Sequence, residues 1–175
     1  MPVEIDERVL GGESPVDYVS RLALAKAREV ARRNPGTLVL GADTAVVVDE
    51  RILGKPVDAA EAVQTLRMLS GRTHDVLTGV AICLDRREAR EVARTRVRFL
   101  QLSPEEITWY VASGEPYDKA GAYAVQGLAS RFVESINGSY SNVVGLPVAA
   151  AYRLLQQFVA VESLSHDRGV LDSNS

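Results

Sequence analysis

Leu38-Val39-Leu40-Gly41-Ala42-Asp43-Thr44-Ala45-Val46-Val47-Val48-Asp49-Glu50-Arg51-Ile52-Leu53-Gly54-Lys55-Pro56-Val57-Asp58 is the stretch around which the chain is organised. Its runs Leu38–Leu40 and Ala45–Val48 favour strands, because branched apolar side chains suit a pleated, half-buried surface. Asp49-Glu50-Arg51 turns the chain, and Ile52-Leu53 resumes it. Between the runs stand one acid, Asp43, and its hydroxyl neighbour Thr44. Gly41 and Ala42 leave room for something to approach the backbone beside them. A carboxylate inside an apolar strand pair is costly unless a partner compensates it. The hairpin-like return can bring Lys55 to the same face. An acid and a lysine on rigid strands suit a site that handles a metal and phosphate. The same residues also fit an acid that merely ends a strand and caps a turn, since structural ion pairs place acids oddly too.

Upstream, a short strand is expected over residues 3–7, followed by a break at Gly11-Gly12. Ser14-Pro15-Val16-Asp17 opens a helix: Ser14 serves as N-cap, Pro15 fits the first helical position and Asp17 stands where a capping acid belongs. Tyr18, Leu22, Ala25 and Val30 follow at nearly helical spacing, and Asn34-Pro35-Gly36 ends the run. Lys26 lies on this helix among alanines. It reads either as a solvated lysine or as one whose tip reaches a ligand past small neighbours.

Downstream, Asp58 caps a helix to Leu69, and Arg72–Leu84 reads as a strand with His74 near its start. Residues 85–91 read as a charged turn, and Val92–Phe99 as a half-exposed strand with its arginines on the wet face. Ser103-Pro104-Glu105-Glu106 caps a third helix. The glycine-rich stretch Ser113–Leu128 holds the Asp118-Lys119 pair and a small-residue strand carrying Gln126. Phe132–Ile136 reads as a strand, residues 137–147 as a loop dense in hydrogen-bonding groups, and Val148–Phe158 as the last helix. Residues 161–175 read as a polar tail. Helices alternate irregularly with strands, which favours a mixed α/β sheet over a βαβ series.

A chain of 175 residues suits one domain that buries ~70% of its unfolded surface. A net charge of −3 gives no basic surface for general nucleic-acid or membrane affinity. The single cysteine, Cys83, rules out an internal disulfide or a cysteine-based metal cluster and reads as core filler. The start carries neither a basic end nor a long apolar run, so a cytoplasmic location is expected.

Gly41-Ala42-Asp43-Thr44, Leu53-Gly54-Lys55-Pro56, Leu69-Ser70-Gly71-Arg72-Thr73-His74, Asp118-Lys119-Ala120-Gly121-Ala122-Tyr123, Gln126-Gly127 and Asn137-Gly138-Ser139-Tyr140 through Val144-Gly145-Leu146-Pro147 occur in this order. Together they resemble the Maf family of nucleoside triphosphate pyrophosphatases, over about Ile5 to Phe158. The resemblance implies an α/β fold of the inosine-triphosphate-pyrophosphatase type: a mixed twisted sheet with flanking helices, and two lobes around a cleft, in one domain over residues 1–160. It implies hydrolysis of a nucleoside triphosphate to the monophosphate and pyrophosphate. Asp43 falls on the family's catalytic acid. Glu7 and Asp43 match metal-binding acids for Mg²⁺ or Mn²⁺. Lys26 and Lys55 match triphosphate contacts, Thr44 and Gln126 positions linked to base choice. The Gln126-Gly127 pair resembles the branch that prefers dTTP and UTP. A homodimer is also implied.

One departure stands out. The family's opening strand and its phosphate-cradling loop, with a Ser and paired arginines, have no counterpart; the sequence starts after them at Met1-Pro2-Val3. Either the start codon is assigned too late or this is a truncated form; a real truncation is expected to expose backbone and apolar surface and to lower activity. The alternative reading is therefore a weakly active or inactive nucleotide-binding regulator.

Overall fold

Residues 5–166 are described by the computed structural model of the chain, with side chains through Val159. The elements in order are α1 (Pro15–Arg33), β1 (Val39–Val48), β2 (Arg51–Leu53), α2 (Ala59–Leu69), β3 (Thr73–Leu84), β4 (Arg87–Phe99), α3 (Pro104–Ala112), β5 (Val133–Asn137), α4 (Tyr140–Val144) and α5 (Val148–His166). Three short 3-10 segments lie between α3 and β5.

The capping logic of the sequence holds. Ser14 accepts from the Asp17 amide, Asp58 from the Glu61 amide, and Ser103 forms a full capping box with Glu106. The strands form one sheet in the order β2-β1-β3-β4-β5. Helices cover it, as expected of an α/β architecture, and every ladder among the described residues is antiparallel. The hairpins β1–β2 and β3–β4 account for two of these ladders.

Alternation along β1 divides the sheet into two faces. Val39, Ala45 and Val47 pack with α1 through Val19, Ala23 and Ala27. Val46 and Val48 point the other way, into the main core with Leu66, Leu69, Val76, Phe99, Tyr110 and Phe132. Further along that sheet, Val80 and Ile82 pack against Ala151, Leu154 and Phe158 of α5.

Two glycines set how closely α1 approaches. A Cβ on Gly41 would lie 2.5 Å from the Ala23 carbonyl oxygen and 2.8 Å from the Ala27 nitrogen; one on Gly79 would run into the Val19 carbonyl. The room beside Asp43 is thus filled by the helix backbone itself. Gly79 is also the cross-strand partner of Asp43.

Several expectations are corrected. The two runs flanking Asp43 are one continuous strand, so the acid sits mid-strand. Residues 5–7 form no strand; the first part of that expectation, residues 3 and 4, lies outside the described residues. The turn after β3 is two residues long, because Arg87–Glu91 pair with Ala81–Leu84 and Val80 across the hairpin. The stretch around Gln126 is a turn, since Gly121 adopts φ +69° and breaks any extended run. The loop 137–147 contains α4, capped by Ser139. The last helix continues to His166, and the expected tail beyond it lies outside the described residues. β2 covers only Val46–Val48 of the outer edge of β1, and Leu38 and Leu40 beside the uncovered part are more than a third exposed.

Candidate active site

The site forms where β2 stops short. Asp43 points to the α1 side of β1, its side chain 10% exposed. Lys26 reaches it from α1, with Nζ donating to Asp43 Oδ1 at 2.6 Å. The same ammonium lies 2.7 Å from Glu7 Oε1. Glu7 is placed by contacts that sequence patterning missed: Tyr18 Oη donates to the Glu7 carbonyl at 3.0 Å, and Arg21 binds Glu13 and the Arg8 carbonyl. These bonds hold the segment against α1 without any ladder.

Burial raises the Asp43 carboxyl above its ordinary range, against the opposing pull of Lys26. Burial also works against the Lys26 ammonium, but its bonds to Asp43 and Glu7 outweigh that and leave it above the usual lysine value. The acid is thus a stronger base than a free carboxylate, held beside a fixed cation.

Two cavities meet at Asp43. One, of about 210 Å³, is lined by Glu7, Tyr18, Lys26, Asp43, Thr44 and Lys55 among others. Lys55 is exposed, and among the described residues no carboxylate pairs with it. The other, of about 270 Å³, lies on the opposite face of β1. Val46, Val76, Tyr123, Val143 and Val144 give it apolar walls, and Asp118 and Lys119 stand at its side, paired at 2.7 Å. Asp43, Thr44, Lys55 and Ala120 line both. Both chambers carry charged groups; the first gathers two acids and two lysines and the second adds the apolar walls, so the pair can hold a polyanion attached to a flat ring.

Of the six residues singled out in the sequence, five meet here: Glu7, Lys26, Asp43, Thr44 and Lys55. Gln126 does not; it is exposed on its turn and lines neither cavity. Tyr123, Val143 and Val144 of α4, and Gly145 at its C-cap went unassigned in the sequence; for 143–145 the density of hydrogen-bonding groups in 137–147 was the signal.

His74 faces the core instead of the cavities. It is 2% exposed and edge-on to Phe99 and Tyr123, its Nε2 lies 2.9 Å from Tyr123 Oη, and Nδ1 has no partner among the described residues. Burial lowers its pKa to about 4. The unfolded chain, with an ordinary histidine near 6.5, therefore binds more protons between these values. This stability is full above about pH 6.5 and is lost as pH falls towards 4, ~3 kcal/mol in all. Chemical denaturation of His74→Gln, which keeps a partner for Tyr123, is expected to lose that much less stability between pH 7 and 4 than the unaltered chain. An equal loss in both would show that His74 is not the group involved.

The fold agrees with the comparisons to known proteins. The family model described as "Maf-like protein" matches residues 1–158, and the chain belongs to that family. Among its relatives, a dTTP/UTP pyrophosphatase of Symbiobacterium thermophilum is 54% identical over 155 residues, spanning 89% of this chain and 80% of the relative. Proteins of the same name from Koribacter versatilis and Myxococcus xanthus are 49% and 53% identical, covering 81% and 78% of those relatives.

Proposed function

We propose that this chain hydrolyses nucleoside triphosphates, dTTP and UTP foremost, to the monophosphate and pyrophosphate. The observation that carries the reading is the junction of the two cavities at a buried acid held by Lys26, with Lys55 shared by both. The relatives named dTTP/UTP pyrophosphatase support the choice of substrate.

The base occupies the chamber walled by Tyr123, Val143 and Val144, and the triphosphate the one that holds Glu7 and Lys26, which sets the α-phosphate beside Asp43. Asp43 accepts a proton from a water as its oxygen bonds to the α-phosphorus. The bond from that phosphorus to the bridging oxygen breaks, and pyrophosphate leaves with the bond's electrons. Lys55 and Lys26 bind the phosphate oxygens and the growing charge on the leaving group.

Glu7 and Asp43 fit a divalent cation, Mg²⁺ or Mn²⁺, in one respect: a single ammonium already touches both carboxylates. Among the described residues no cluster of three or more metal-binding side chains exists. Two carboxylates suit a cation that arrives on the phosphates and keeps several waters. When bound, it supplies charge neutralisation and a polarised water. Gln126 would touch the base only if its turn closed over the apolar chamber, and a role in base choice is proposed for it on those terms. Residues 1–160 are proposed to form one domain, in a homodimer in the cytoplasm; among the described residues no helix is long and apolar enough to cross a membrane.

The test is pyrophosphate release from a panel of nucleoside triphosphates with Mg²⁺ and Mn²⁺. UTP and dTTP are expected to be turned over fastest. Lys55→Ala is expected to raise KM roughly 10- to 100-fold, the equivalent of one charge-assisted hydrogen bond of ~1.5–3 kcal/mol. Nucleotide binding with no pyrophosphate released from any substrate would instead establish a regulator that binds without turnover.

A further inference from the structure

Resting on the nucleotide reading above, we propose that Thr78 is a positioning residue that makes the Thr44 hydroxyl an acceptor-only contact for a hydrogen-bond donor on the nucleoside. A chain of hydroxyl groups carries the argument. Thr44 Oγ1 lies 2.8 Å from Thr78 Oγ1, and Thr78 Oγ1 lies 3.2 Å from the Asn142 carbonyl oxygen. A carbonyl can only accept, so Thr78 gives its single proton to Asn142. It then has none for Thr44 and must accept from it. The Thr44 proton therefore points into the protein, and its lone pairs are what it offers to the two cavities that it lines.

The end of the chain is fixed. Asn142 is fully buried in α4, and its amide donates to the Val76 carbonyl at 3.0 Å and to Thr95 Oγ1 at 2.9 Å. Thr95 in turn donates to the Ser139 carbonyl and accepts from the Ser139 amide, which pins the start of the same helix. Thr78 is itself fully buried, so no water competes for its proton. The direction of the chain is set by buried groups and is not free to reverse.

A substrate group that meets Thr44 must then be a donor. Uracil and thymine carry one donor on their pairing edge, the imide N3–H; the sugar supplies the other class, its hydroxyls. A site built to pair with a donor rejects analogues that lack it far more strongly than an apolar pocket rejects a change in size.

The experiment measures kcat/KM for UTP against CTP, whose N3 is an acceptor in place of the donor, and for dTTP against 3′-O-methyl-dTTP, whose sugar oxygen keeps only lone pairs, in the unaltered chain, Thr78→Val and Thr78→Ser. The unaltered chain is expected to discriminate at least about 10-fold in one of the two pairs, which identifies the imide or the sugar as the donor. Thr78→Val, nearly isosteric, is expected to bring that ratio to within about 3-fold, because Thr44 regains freedom to turn its proton outward and donate to the acceptor that the analogue presents. Thr78→Ser restores it. Thr44→Val, at the cavity wall, provides the same readout should burial make Thr78→Val unstable. No discrimination in either pair, or a ratio unchanged by both valine variants, overturns the proposal. Failure of every triphosphate to react would instead strike at the nucleotide reading itself.

Discussion

Asp43→Asn lowers kcat for pyrophosphate release by about 10³-fold, within the ~10²–10⁴ range for loss of a positioned general base. That corresponds to ~4 kcal/mol of barrier. Asparagine keeps the shape and can still accept a hydrogen bond from Lys26, which also retains Glu7 at 2.7 Å. It cannot take a proton from water. The fold is expected to survive, because the carboxylate's burial opposes its own charge and the amide avoids that cost. The measurement is steady-state release from UTP or dTTP beside a thermal melt. A variant within tenfold of the parent would remove Asp43 from the chemistry. A variant that lost activity only through unfolding would leave its melting temperature far below the parent's.

The second large effect is on stability. Gly41→Ala places a methyl group 2.5 Å from one α1 backbone oxygen and 2.8 Å from a backbone nitrogen. Backbone cannot rotate away as a side chain can, so the helix must shift along its length. Overpacking of this kind costs ~3 kcal/mol, the upper part of the usual range. In a chain of this size that lowers the melting temperature by about 10 °C. The same shift carries Lys26 away from Asp43, so turnover falls along with stability. Gly11→Ala, where the added carbon meets nothing within 4 Å, is the control and is expected to be near neutral. Equal melting temperatures for the two variants would mean that α1 does not rest on Gly41.

What the sequence made legible follows from the range of the interactions involved. The caps at Ser14, Asp58 and Ser103 are local, each closed within three residues, and all formed as read. Asp43 stood out because an acid between apolar runs is conspicuous, and Lys55 because it is the nearest cation after them, whereas Thr44 was given its role by the family resemblance. Glu7 was named for its resemblance to the family, but the bonds from Tyr18 and Arg21 that hold it span 11 and 13 residues and leave no periodic trace. The strand expected at Gln126 failed for a related reason. Alanines and a valine suit a strand, yet the left-handed backbone at Gly121, packed against Val46, decides the path there. Asn142 and Thr78 were invisible as a pair, since the contact between them crosses 64 residues.

Asp43 and Thr44 are consecutive residues on one strand, and they serve opposite sides of it. On the proposed mechanism, chemistry and recognition are divided by a single peptide unit. The alternation of a β-strand has a period of two, so adding or deleting one residue between the Asp49-Glu50 turn and Thr44 would exchange the two partners. The acid would leave the α1 side of the strand, and the hydroxyl would take its place towards Lys26. Such a change would keep the composition and nearly every residue while reversing the wiring of the enzyme, which makes the length of this half-strand as strict a requirement as the identity of the acid.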